Sequence, residues 1–178
     1  MQSHGIHKNH GFHHGGAHAP YGRRGDSHML NDAGERTETY YAVKQVNEEM
    51  SVFAEEYGKY VNHGAVMYNR IHPNASGVSL GTTKVDAKYK PVMLTADPVL
   101  CGCFSEKEGN GSAYVFTNMF DPNTDKTATF TAIFPGAKSV TLYRKGEKTV
   151  INGGTLTLTL DNREGVFVTV DSAFGPVG

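Results

Sequence analysis

Thr127-Ala128-Thr129-Phe130-Thr131-Ala132-Ile133-Phe134 and, further on, Thr155-Leu156-Thr157-Leu158-Thr159-Leu160 are the segments that decide the fold. Apolar residues take every second position and threonines fill most of the places between. Period-two alternation with β-branched partners is what a sheet with one buried face requires. The same period continues through Val140 and Leu142 and through Val166, Val168 and Val170. Turn chemistry stands where the pattern stops, at Gly109-Asn110-Gly111, Asp121-Pro122-Asn123, Pro135-Gly136, Lys145-Gly146, Gly153-Gly154 and Asn162 to Gly165. From about Val92 to Val170 the chain therefore reads as six extended segments. Short strands at this spacing predict an antiparallel sandwich or barrel.

Upstream of this region the period changes to that of a helix. Val43, Val46, Met50, Phe53, Ala54, Tyr57 and Val61 recur at three- and four-residue steps. The spacing predicts one amphipathic helix from about Thr39 to Tyr57, capped by Thr37 or Thr39 and stopped by Gly58. Its other face carries Lys44, Gln45, Glu48, Glu49, Glu55 and Glu56. A lone amphipathic helix cannot bury its stripe, so it has to dock on the β-domain or on something outside this chain. The fold class is thus mainly β, an antiparallel β-sandwich preceded by one amphipathic helix.

Four regions follow from this reading. Residues 1–29 hold seven of the nine histidines among glycine and polar residues, without an apolar face, and are expected to be disordered. That histidine density chelates transition metals. It has two explanations, a physiological metal-binding tail or an added purification leader, and the ending Ser27-His28-Met29 favours the second. Residues 30–62 form a linker and the helix, 63–171 the β-sandwich, and 172–178 a flexible tail. Between Ile71 and Tyr89 the chain is expected to make a long, partly extended excursion.

Composition narrows the functional classes. The chain has 178 residues, enough for one domain and its core. Of 17 basic and 18 acidic residues, Lys8, Arg23, Arg24 and Asp26 lie in the first 29, which leaves 14 and 17, a balance of −3. That leaves no electrostatic footprint for nucleic acid or an anionic membrane, and no apolar run approaches the length of a membrane span. Neither partner is expected. The N-terminus lacks the apolar core of a secretory signal, so the compartment is not specified.

Candidate chemistry is sparse. Cys101 and Cys103 point to the same face of one strand, where a disulfide fits poorly, and a metal site needs more ligands nearby than this segment supplies. They read as small apolar core residues. Asn47-Glu48 has the dipeptide form of a glycosidase acid/base, but it sits mid-helix on the solvent side without a second carboxylate across a cleft. His63 and His72 are isolated. No catalytic, cofactor-binding or metal-ligating residue is assigned, and no cofactor is expected.

One resemblance adds to this. Thr39-Tyr40-Tyr41-Ala42-Val43-Lys44-Gln45-Val46-Asn47-Glu48-Glu49 resembles the last barrel helix of β-galactosidase-like glycoside hydrolases with a (β/α)8 catalytic domain. Pro91 to Val170 resembles the C-terminal β-sandwich that follows it there. The shared features are the strand Leu100 to Phe104, a strand ending in Asn with an Asp-Pro turn (Val115 to Pro122), the Thr-rich strand, and the closing Gly165-Val166-Phe167-Val168. The closing loop of those enzymes reads like Pro-Gly-Glu-Gly; Asn162-Arg163-Glu164-Gly165 departs from it. The resemblance covers roughly residues 35–171 and implies a non-catalytic accessory β-domain of a carbohydrate-degrading enzyme. Its implied partner is an upstream catalytic barrel of the same polypeptide. No position matches a catalytic motif. The competing reading is a carbohydrate-binding module that grips an oligosaccharide itself, with Tyr89 and Phe120 as the exposed aromatic candidates.

Overall fold

The computed structural model describes residues 28–70, 78–80 and 84–172. The leader up to residue 27, the C-terminal tail from residue 173, and residues 71–77 and 81–83 of the expected excursion lie outside the described residues. The chain divides into two compact units, residues 1–44 and 45–178.

In the first unit, a tight turn precedes the helix. The Asn31 side chain closes it, its Oδ1 accepting from the N–H groups of Ala33 and Glu35 at 3.0 and 2.9 Å. Thr37 supplies the helix cap, accepting from the N–H of Tyr40 at 3.4 Å. Helix α1 (Glu38–Ser51) starts there and runs across the boundary between the units.

The second unit is a sandwich. Its ten strands are β1 (Tyr60–Tyr68), β2 (Val78–Leu80), β3 (Val92–Ala96), β4 (Val99–Glu106), β5 (Ser112–Asn118), β6 (Ala128–Ile133), β7 (Ala137–Arg144), β8 (Glu147–Asn152), β9 (Thr155–Leu160) and β10 (Gly165–Ser172). Seven form one antiparallel sheet in the order β2-β1-β4-β5-β10-β7-β8; three form the other in the order β3-β6-β9. The expected mainly-β sandwich with a preceding helix is the observed architecture.

Alternation decides which side chains meet between the sheets. Phe130, Ala132, Leu156 and Leu160 of the small sheet face Val66, Cys101, Phe116, Val140, Val166 and Val168 of the large one, all buried. The rings of Phe116 and Phe130 stack with centroids 4.4 Å apart. On the outer side of the small sheet the threonines pair across strands, Thr129 with Thr159 at 2.9 Å and Thr131 with Thr157 at 3.0 Å. Leu158 shares the inward parity yet is only half-buried, while Leu156 and Leu160 on either side of it in β9 are buried.

Several boundaries differ from the sequence reading. The helix expected to run to Tyr57 breaks after Ser51 and resumes as the single turn α2 (Ala54–Tyr57). Phe53 sits at the break with φ −121° and ψ 1°, which swings its ring down to Phe167 at 5.1 Å. Gly58 does end α2, but in right-handed rather than left-handed geometry. The sandwich starts at Tyr60, a turn earlier than residue 63, because β1 pairs with β4 from Tyr60 opposite Glu106. Gly102 marks a close approach, and it also borders a register shift of β1 against β4, which falls between Asn62, opposite Phe104, and Ala65, opposite Gly102. The register of β4 against β5 is unbroken there, and a Cβ would stand 3.1 Å from the Phe104 ring.

Two polar devices hold the loops to the sandwich. Asn118, buried at the end of β5, donates from Nδ2 to the carbonyls of Lys126 and Asp161, both at 2.9 Å, and accepts from the N–H of Phe120 at 2.9 Å. This is the strand-ending Asn noted in the sequence, and it is a structural bolt. Glu164 takes a bidentate pair from Arg144 at 2.7 Å each, joining the β9–β10 turn to the end of β7. Burial opposes the charge on Glu164, but the bonds from Arg144 and from the Asp161 N–H outweigh it and hold the carboxyl below its usual value.

Phe130→Ala should destabilise the domain by about 3–5 kcal/mol, the range for emptying a fully buried phenylalanine site, and Leu158→Ala by less. Chemical denaturation of both variants checks the order; equal costs would contradict the half-burial of Leu158. Glu164→Gln should cost about 1–3 kcal/mol at neutral pH, since it leaves Arg144 without its charged partner. A lowered folded-state pKa gives stability that is complete above the ordinary value of 4.5 and drains as the pH falls through the folded-state value. Denaturant midpoints of wild type and Glu164→Gln should therefore converge in acid.

Candidate docking face

The outer face of the seven-stranded sheet is built for a partner layer. Phe104, Ala113, Tyr143 and Phe167 project from it and are buried in a second apolar cluster. Phe53, Tyr57 and Tyr60 cover them. Tyr57 meets Phe104 edge-on at 5.4 Å and Phe167 at 5.6 Å, while Phe53 lies over Phe167 and 6.1 Å from Tyr143. Edge and offset contacts of this kind are the geometry that aromatic quadrupoles favour. Lys107 fixes the chain end of the cover, its N–H donating to the Lys59 carbonyl at 2.9 Å and its Nζ to the Gly58 carbonyl at 2.7 Å. A small cavity of about 100 Å³ remains beneath the segment, between Val52, Phe53, Val115, Tyr143, Gly146 and Phe167.

The stripe that predicted the helix is not used up by this packing. No residue of α1 is buried. Val46 and Met50 remain 53% and 50% exposed, and Val52, Tyr57 and Val61 are exposed beside them. Phe53 alone among the stripe residues from Val46 to Val61 is half-buried through ring contacts with the sheet. An apolar helix face in water is unfavourable at about 25 cal/mol per Å² of surface left uncovered.

Asn47 and Glu48 are exposed on α1, as the helix reading required. Glu108, Asp121, Asp125 and Glu147 are exposed in or beside turns, and Glu106 accepts from the Gly111 N–H at 3.2 Å within its own hairpin turn. Glu164 is the well-positioned acid of this group, with its side chain 9% exposed, and its position serves the Arg144 clasp. Among the described residues, no three His, Cys, Asp or Glu side chains come together in a way that could hold a metal ion.

Tyr89 and Phe120 lie in different loops. Tyr89 closes a 3-10 turn (Ala87–Tyr89) and Phe120 follows β5; both are half-buried against the main core. Neither offers two open ring faces. Tyr89 is stacked on His63 at 3.6 Å with the rings 4° from parallel, and the Lys88 ammonium stands 4.8 Å from its centroid. Phe120 has the Lys126 ammonium 5.4 Å from its centroid. In the sequence His63 stands isolated. In the structure its Nε2 lies 2.7 Å from Ser105 Oγ, across the β1–β4 pair next to an irregularity in the register. Only the register of those two strands reveals that proximity; no motif in the sequence does.

No family model, no curated protein and no solved structure matches this chain.

Proposed function

We propose that this chain is a non-catalytic accessory β-domain of a carbohydrate-degrading glycoside hydrolase, whose α1 helix links it to the catalytic barrel of the same polypeptide. The observation that carries the reading is the unspent helix stripe. The segment is anchored at Phe53 and Tyr57, yet Val46 and Met50 face water along the preceding turns. A barrel helix is apolar towards its neighbours in the barrel, and this pattern fits such a helix seen without them. The order of strand motifs from Leu100 to Val168 supports the same assignment. So does the role of the strand-ending Asn118, which locks the Asp-Pro turn region to the sheet.

The arrangement of acids supports a non-catalytic role. Glycoside hydrolysis needs a proton donor and a nucleophile or base on opposite sides of one sugar ring, at separations of about 5 Å or more. The carboxylates described above are solvated, turn-bound or committed to Arg144. The carbohydrate-binding alternative gains little from Tyr89 or Phe120, each with an ammonium group over its ring.

The purified protein should show no turnover of aryl β-galactosides or related aryl glycosides. Turnover that survives repurification and disappears on mutating a single Asp or Glu would overturn the accessory reading. Calorimetric titration with oligosaccharides should give no saturable heat. Saturable binding that is lost in Tyr89→Ala or Phe120→Ala would transfer the assignment to a sugar-binding module.

A further inference from the structure

The chain contains two Asn-Gly pairs, Asn110-Gly111 and Asn152-Gly153. In such a pair the backbone nitrogen of the glycine is the nucleophile nearest the side-chain amide carbon, and a glycine has no Cβ to hinder its approach. Both asparagines are exposed, so water reaches both. The two glycine nitrogens differ. Gly153 donates its N–H to the Lys138 carbonyl at 2.8 Å, which ties it to the end of the β7–β8 ladder. A neutral carbonyl there accepts the hydrogen bond and offers no base. Gly111 donates instead to Oε2 of the Glu106 carboxylate, at 3.2 Å. The β4–β5 turn is wrapped around that carboxylate. A Cβ at Gly109 would overlap Oε2 and one at Gly111 would stand 2.9 Å from it, so a side chain at either place would push the carboxylate out of the turn. The Glu106 N–H in turn donates to the Gly111 carbonyl at 2.9 Å, which fixes both ends of the loop.

We propose that Asn110 is a self-processing site, an asparagine that cyclises onto the Gly111 nitrogen with Glu106 as the general base. Glu106 stands within hydrogen-bond reach of the proton to be removed, the first requirement for that role. The carboxylate takes the Gly111 proton, and the nitrogen attacks Asn110 Cγ. A new C–N bond forms and the bond from Cγ to the amide nitrogen breaks. The leaving nitrogen takes up the proton from Glu106 and departs as ammonia. The product is a succinimide ring. Water opens it at either carbonyl, to aspartate or to isoaspartate, and no oxidant or reductant is needed. Each product puts a new carboxylate near Glu106, on the rim of the polar cleft that Glu56, Tyr60 and Asp171 also line. The isoaspartyl product also adds one backbone carbon to the turn from which Lys107 holds the Gly58 and Lys59 carbonyls.

The test is peptide mapping by mass spectrometry of the full chain after native incubation at mildly alkaline pH. Conversion of amide to acid is followed at Asn110 and Asn152 in the same sample, and isoaspartate is counted with an isoaspartyl methyltransferase. Asn110 should convert faster than Asn152 in the native protein. The two rates should approach one another in denaturant, where both sites lose their folded partners. Glu106→Gln should slow conversion at Asn110 by about tenfold or more and leave Asn152 unchanged. The glutamine oxygen can still accept from Gly111, so a purely structural role for Glu106 would leave the rate as it is. Asn110 converting no faster than Asn152 in the native wild type, or converting as fast in Glu106→Gln as in the wild type, would overturn the site.

Discussion

The fold depends on the burial of both faces of one strand. In β10, Val166, Phe167 and Val168 are consecutive and all are buried. Successive side chains of a strand point to opposite sides, so such a run needs cover above and below. The three-stranded sheet covers Val166 and Val168. The Phe53–Tyr60 segment covers Phe167. β10 lies between β5 and β7 near the middle of the large sheet, where both faces are furthest from solvent. The other features follow from that requirement. The helix has to break at Phe53 to lay a ring on Phe167, Lys107 has to hold the segment down, and Asn118 and Glu164 have to tie the loops at the strand ends.

Most of the sandwich was legible because its signal is local. Period two in Ala128–Phe134 and Thr155–Leu160 identifies inward and outward residues without any knowledge of partners. The turns too announce themselves. Lys145 and Gly146 have φ of 50° and 77°, the paired positive values that a two-residue hairpin turn demands. What was illegible depends on contacts distant in sequence. The helix pattern runs smoothly through Val52 and Phe53, and only the attraction of Phe167, more than a hundred residues away, explains the break. Leu158 looks like Leu156 in sequence, yet Leu156 is buried and Leu158 only half-buried. The nearness of His63 to Ser105 and Tyr89 depends on the β1–β4 register and the placement of a short 3-10 turn.

The candidate docking face was half legible. The stripe on α1 was visible as a period of three and four, and so was the need for a partner. Which part of it the β-domain itself would satisfy was not. Phe53 and Tyr57 serve the sheet, while Val46 and Met50 do not. That division assigns the lower end of the segment to folding of the domain and leaves the upper end exposed, in residues a single helical turn apart.

The threonine pairs on the outer face of the small sheet have a consequence for solubility. Thr129–Thr159 and Thr131–Thr157 spend hydroxyl donors on each other, so the face is less hydrophilic than its composition suggests. Val92 and Leu94 are exposed on the neighbouring strand β3, at the sheet's edge. The threonine oxygens are therefore what separates a wettable face from a continuous aliphatic one. Replacing both pairs with valine would preserve strand propensity and shape. It would also create a flat apolar sheet beside an open edge, the combination that promotes sheet-to-sheet aggregation. In this domain the threonines act as gatekeepers against self-association while filling the role of ordinary strand residues.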